Sequence, residues 1–242
     1  MRIKKKLKRS IKMFRSKIGS KKKISNYIKN LDDSEKLKVI MGGHWSCASG
    51  WLSLNEAEQD ITQPLIFDDN SVDVIFTEHV IEHISFLETI GFMGEAKRVL
   101  KPGGVLRIVC PMFEKMLTDD FSSENGQKYI NNFLVPRLFS KEDKKLKELN
   151  LAGIAASPKL FLFNSVFVNH GHRFIWSGEL MNKVLTSLQF RDVKIRNVGD
   201  GVEQDYCIER RKRGIYLGYD WEEDRSDGVI YDPESLVVEA IK

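Results

Sequence analysis

Asp60-Ile-Thr-Gln-Pro-Leu-Ile-Phe-Asp-Asp-Asn-Ser-Val-Asp-Val-Ile-Phe-Thr-Glu-His-Val-Ile-Glu-His83 is the stretch on which the reading of this chain turns. Asp68-Asp69-Asn70 is a turn cluster, so Ser71-Val-Asp-Val-Ile-Phe-Thr77 reads as a buried strand. Ser85 then opens a helix, with Glu88 three residues on completing a capping box. Phe86, Ile90, Met93, Val99 and Leu100 give that helix an apolar side. Lys101-Pro102-Gly103-Gly104 stops it, and Val105 to Cys110 is the next strand, closed by Pro111. Upstream, Leu37-Lys-Val-Ile-Met41 is an apolar run breaking into Gly42-Gly43, and Trp51 to Leu54 is a second short strand. Strands alternating with helices predict a parallel, doubly wound α/β sheet. Its ligand crevice lies at the carboxyl ends of the strands, at the topological switch point. The residues that end the strands are therefore the ones to weigh.

Beyond Pro111 the pattern loosens. Helices are expected around Gly126–Phe139 and Lys141–Leu149, followed by the apolar runs Leu160–Phe163 and Val166–Val168, so residues 117–170 read as an insertion over the crevice. A helix from Ser177 carries Leu180, Val184, Leu185 and Leu188 on one face. Strands are expected at Val193–Val198 and Ser235–Ile241.

The length of 242 residues suits one α/β domain, and the composition is that of a globular protein. Cys47, Cys110 and Cys207 are far apart and odd in number; no CxxC or Cys/His cluster predicts a metal site, and the expected compartment is the reducing cytoplasm. Charge is distributed unevenly. Residues 1–30 hold thirteen Lys or Arg and no acid, while the other 25 basic residues face all 34 acidic ones, a net of −9. Ile3, Leu7, Ile11, Phe14 and Ile18 share one helical face of this basic leader, which suits peripheral contact with the anionic inner face of a membrane, or with nucleic acid. The leader is expected to span residues 1–30, with a joint at Gly19-Ser20, and the domain to occupy residues 31–242. It lacks the apolar core of a signal peptide.

At this point the sequence resembles the predicted methyltransferases of the Methyltransferase type 11 group, especially the branch near polysaccharide biosynthesis. Asp60–His83 is similar to the family's D-x-x-x-P-L-P-F-x-D-N-S-h-D-h-I-x-x-x-H-V-h-E-H stretch. Arg98-Val-Leu-Lys-Pro-Gly-Gly-Val-Leu-Arg-Ile108 resembles its R-V-L-K-P-G-G-x-L-R-I signature. Gly171-His-Arg-Phe-Ile-Trp176 and Ser235–Lys242 resemble its G-H-R and closing segments. The resemblance implies a Rossmann-like class I fold, a seven-stranded sheet with an antiparallel C-terminal strand, and S-adenosyl-L-methionine as cofactor.

It also implies roles. Gly42-Gly43 would face the methionine part of the cofactor. Asn55, with Glu56 beside it, would meet the ribose; Asp60 would meet the adenine amino group, with Ile61 as apolar neighbour. Thr77-Glu78-His79 would form the floor beneath the sulfonium. Two positions depart from the pattern: His44 stands at the family's second glycine, and Asn55 replaces an acidic residue. A lost charge-assisted hydrogen bond is worth about 1.5–3 kcal/mol. A hydroxyl acceptor needs a general base, and histidine near neutrality suits it; His79 is the first candidate, with His83 and His172 behind it. The implied acceptor is a small molecule or glycan. A nucleic-acid methyltransferase fits less well, because the body is acidic and no Asn-Pro-Pro-Tyr or Asp-Pro-Pro-Tyr motif is present. A binding protein on a decayed fold is the other alternative, and the missing G-x-G-x-x-G disfavours an NAD-dependent enzyme.

Overall fold

The computed structural model describes residues 19–32, 34–43, 48–118, 122–129, 158–167, 170–209 and 235–242. These form a six-stranded sheet flanked by helices. In chain order the strands are β1 (Lys38–Met41), β2 (Leu52–Leu54), β3 (Val72–Glu78), β4 (Leu100–Pro111), β5 (Arg191–Arg196) and β6 (Ser235–Ile241). Residues 19–29 are helical (α1). Then come α2 (Phe86–Val99), α3 (Phe113–Thr118), α4 (Glu124–Tyr129), α5 (Pro158–Phe167) and α6 (Gly178–Ser187).

The spatial order is β2-β1-β3-β4-β6-β5, and β1 to β4 pair in parallel. β6 runs antiparallel to both β4 and β5, as the resemblance implies for the terminal strand. Seven strands were expected and the described residues form six. After β2 the chain makes turns rather than a further strand: the Asn55 and Asp60 side chains accept hydrogen bonds from backbone two residues on and hold the turn conformation. The exposed edge of β2 is met by Lys23 of α1, whose ammonium donates to the Ser53 carbonyl at 2.7 Å.

Alternation divides the strands between two apolar layers. Val39, Met41, Ile75, Leu106 and Ile108 face one layer, and Ile40, Val74, Phe76, Val105 and Val109 the other. Burial on both faces is what a parallel sheet with helices on each side requires. In the second layer the fully buried Arg107 is neutralised by Glu239, 2.7 Å away, and by Glu209.

Several local expectations hold. Ser85 caps α2, with Glu88 returning the bond to its backbone, and Ser177 caps α6. The Lys101–Gly104 break takes a different form. α2 passes directly into β4, and these residues bulge within the strand, since the register advances from Val72↔Leu100 to Val74↔Val105. Gly104 is needed there, because a Cβ would lie 2.9 Å from the Lys101 carbonyl oxygen and 3.0 Å from that of Asp73. The apolar residues at 160–163 and 166–167 belong to one helix, α5; residue 168 lies outside the described residues. The helices expected at 126–139 and 141–149 are described only as α4; the rest lies outside the described residues.

The expected joint at Gly19-Ser20 borders residues 1–18, which lie outside the described residues. Gly19 and Ser20 are helical, Ile24 lies in the first apolar layer, and Tyr27 and Leu31 pack against it. Residues 19–29 thus dock on the domain. The amphipathic face proposed for residues 3–18 lies outside the described residues. Among the described residues no helix is long and apolar enough to cross a membrane.

Candidate active site at the strand ends

The sheet order reverses between β1 and β3, so the crevice of a doubly wound fold opens where Met41 and Glu78 end their strands. Gly42 turns there with φ +81°. A Cβ on it would lie 2.2 Å from Val80 Cγ2, and one on Gly43 would lie 1.8 Å from Ser53 Oγ. Close approach of the loop after β3 on one side, and of β2 on the other, demands both glycines. Their N–H groups do not point at a ligand as their sequence context suggests. Both donate to the Leu54 carbonyl, at 2.9 and 3.0 Å.

Beyond β2, Asn55 Oδ1 accepts from the N–H groups of Ala57 and Glu58, while Glu58 returns a carboxylate oxygen to the Asn55 N–H at 3.0 Å. Asn is therefore explained as a turn cap. Glu56 is exposed and Glu58 is ion-paired to Lys23. Asp60 Oδ1 accepts from the backbone and hydroxyl of Thr62, and Ile61 is buried.

At the end of β3, Thr77 and Glu78 are buried, and the Thr77 hydroxyl has no hydrogen-bond partner among the described residues. His79 follows in the left-handed region, φ 52°, with its N–H donating to the Val109 carbonyl. The imidazole Nδ1 lies 3.0 Å from Glu82 Oε1, and the ring is largely covered. Nδ1–H donating to that carboxylate places the neutral ring's lone pair on Nε2. Glu82 is completely buried; desolvation alone would raise its carboxyl, but the hydrogen bond and charge of His79 outweigh this and hold it below the ordinary range.

The Gly171–Trp176 segment returns to this corner. Arg173 and Phe174 donate their N–H groups to the Glu82 carbonyl at 2.7 and 3.2 Å, and Arg173 reaches Glu88 at 2.9 Å. Phe86, Phe174 and Trp176 pack their rings together beside it. His172 thereby comes edge-on to His83, centroids 4.6 Å apart. Burial pushes the His172 imidazole down to about 4, the neighbouring histidines add to this, and Glu82 only partly opposes it, so the ring is neutral at pH 7.

Residues 44–108, which begin after the glycine turn and end within β4, match a family model described as "Methyltransferase domain". This stretch is similar to a methyltransferase domain. No curated protein matches the chain. Among solved structures it is similar to a SAM-dependent methyltransferase from Archaeoglobus fulgidus, at 12% identity and a TM-score of 0.42 over 94% of each chain. It is similar also to a SAM-dependent methyltransferase from Thermotoga maritima, described as a possible histamine N-methyltransferase, at 16% identity and a TM-score of 0.39 over 100% of this chain and 97% of that one.

Methyltransferases of this class take their methyl group from S-adenosylmethionine. The residues present fit such a donor: the Thr77 hydroxyl is an unpartnered buried polar atom at the strand end, beside the buried carboxylate of Glu78. The methyltransferase brings Gly42 against Val80, Gly43 against Ser53, and His79, His83 and His172 around Glu82. His44 lies outside the described residues. Glu82 holds no place among the sequence-predicted site residues, and the signal that marks it is its three-residue spacing from His79.

Proposed function

We propose that this methyltransferase transfers a methyl group from S-adenosylmethionine to an oxygen of a small-molecule or glycan acceptor, with His79 as general base. The observation that supports this reading is the His79–Glu82 pair at the carboxyl end of β3. Bound at Gly42, Gly43, Asn55, Glu56, Asp60, Ile61, Thr77 and Glu78, the donor supplies a methyl group already activated on a sulfonium. What the chain adds is alignment and proton handling. Glu82 holds the His79 ring in one tautomer and compensates the positive charge that forms when Nε2 takes the acceptor's hydroxyl proton. The basic leader brings the enzyme to an anionic membrane surface.

The test uses methyl-labelled donor with a panel of mono- and oligosaccharides and phenols. His79→Ala keeps donor affinity and lowers turnover by about 10²–10⁴-fold. Unchanged turnover in that variant removes His79 from the mechanism, and donor binding without turnover on any hydroxyl acceptor rejects the oxygen assignment.

A further inference from the structure

We propose that Glu82, His83 and His172 form a binding site for one divalent transition-metal ion. One ligating atom from each lies within 4.8 Å of the other two. Around an ion with bonds of about 2.1 Å, tetrahedral ligand atoms stand about 3.4 Å apart, so side-chain torsions alone close the set.

A second observation points the same way. The Glu82 carboxylate is divided: Oε1 is held by His79, whereas the buried Oε2 meets no hydrogen-bond partner among the described residues. His172 Nδ1 is likewise a buried ring nitrogen with no such partner. Buried polar atoms are normally paired. Edge-to-face packing of His83 on His172 accounts for the ring contact, but it supplies no donor to Glu82 Oε2. A cation supplies what both atoms lack.

The surroundings suit a metal centre. The N–H groups of Arg173 and Phe174 lock the His172 segment to the Glu82 carbonyl, so ligands 89 residues apart in sequence are held in register. His79 acts behind Glu82, in the manner of an outer-shell group that orients a carboxylate ligand. His83 is exposed while Glu82 is fully buried, which gives the ion a path in from solvent. Two imidazoles with one carboxylate suit zinc, iron, cobalt or nickel, whereas magnesium and calcium take oxygen sets. Three protein ligands also leave a position open for a further oxygen ligand. The inference is independent of methyl transfer, because metal uptake is measured with no methyl donor present.

The full chain, stripped with chelator and dialysed, is titrated with Co²⁺ while its visible absorption is recorded, and bound cobalt is then displaced with Zn²⁺. The expected result is one equivalent of cobalt, d–d bands showing nitrogen and oxygen ligation, and a higher unfolding temperature on metal addition. His83→Ala and His172→Ala each weaken binding by at least ~10-fold, while His170→Ala, whose exposed ring lies 5.8 Å from that of His172, leaves it unchanged. Glu82→Gln reads the carboxylate directly; should it misfold, the two histidine variants, with circular dichroism matching the wild type, decide the matter. Absence of stoichiometric Co²⁺ and Zn²⁺ uptake by the wild type, or wild-type affinity in the His83→Ala/His172→Ala double variant, overturns the proposal.

Discussion

Gly42→Ala tests whether the turn after β1 is built by contact with the loop after β3. Two costs are separable in the structure. Gly42 sits at φ +81°, where an L-residue is disfavoured by about 1–2 kcal/mol. Its new Cβ would also stand 2.2 Å from Val80 Cγ2 and 3.2 Å from Cγ1, and overpacking of that kind costs about 1–3 kcal/mol. A total near ~3 kcal/mol lowers the unfolding temperature by roughly 6–12 °C for a domain of this size. Val80→Ala removes both offending methyls and leaves only Val80 Cβ, 3.3 Å away. That substitution alone costs about 1 kcal/mol for a half-buried side chain. In Gly42→Ala/Val80→Ala the steric part disappears and the φ part remains, so the cycle shows a favourable coupling of about 1–3 kcal/mol. Thermal unfolding followed by circular dichroism measures all four proteins. Additivity within about 0.5 kcal/mol would mean that Val80 does not press on the turn, and the description of the crevice wall would be wrong.

Two further outcomes follow from packing and charge. Ile24→Ala costs about 2–4 kcal/mol, because Ile24 is buried in the first apolar layer; equal stability of that variant would show that α1 does not dock. The hydrogen bond from Arg98 holds the Glu95 carboxyl below its ordinary value of 4.5, with the Leu65 N–H adding to it against desolvation. A depressed folded value means stability present at neutral pH and lost as pH falls below about 4.5. Glu95→Gln therefore flattens the acid limb of a denaturation-against-pH profile, and an unchanged limb would deny the Arg98 clamp that also grips the Leu65 and Phe67 carbonyls.

Features governed by near neighbours were legible in the sequence. The Ser85–Glu88 capping box, the Ser177 cap, the strand expected at Ser71–Thr77 (observed at Val72–Glu78) and the terminal strand each depend on residues within a few positions, and each is present. The Arg98 motif was recognisable as a signature, but its physical reason appears only when the guanidinium is seen bonding Leu65, Phe67, Asp69 and Glu95 at once. What stayed hidden depended on distance along the chain. The docking of Ile24, Tyr27 and Leu31 was masked by the lysines around them. Gly42 and Gly43 admit Val80 and Ser53 and give their N–H groups to the Leu54 carbonyl, contacts that no local spacing announces. The meeting of His172 with Glu82 and His83 spans some ninety residues and has no local trace. The seventh strand was implied by resemblance alone, and the capped turns at Asn55 and Asp60 stand where the chain leaves β2.

Calorimetric titration of the purified full chain with S-adenosylhomocysteine tests the central claim, that the carboxyl ends of β1 to β3 hold the methyl donor. The account predicts one site with a dissociation constant on the order of micromolar, weakened by Gly42→Ala. No binding at millimolar ligand would contradict it.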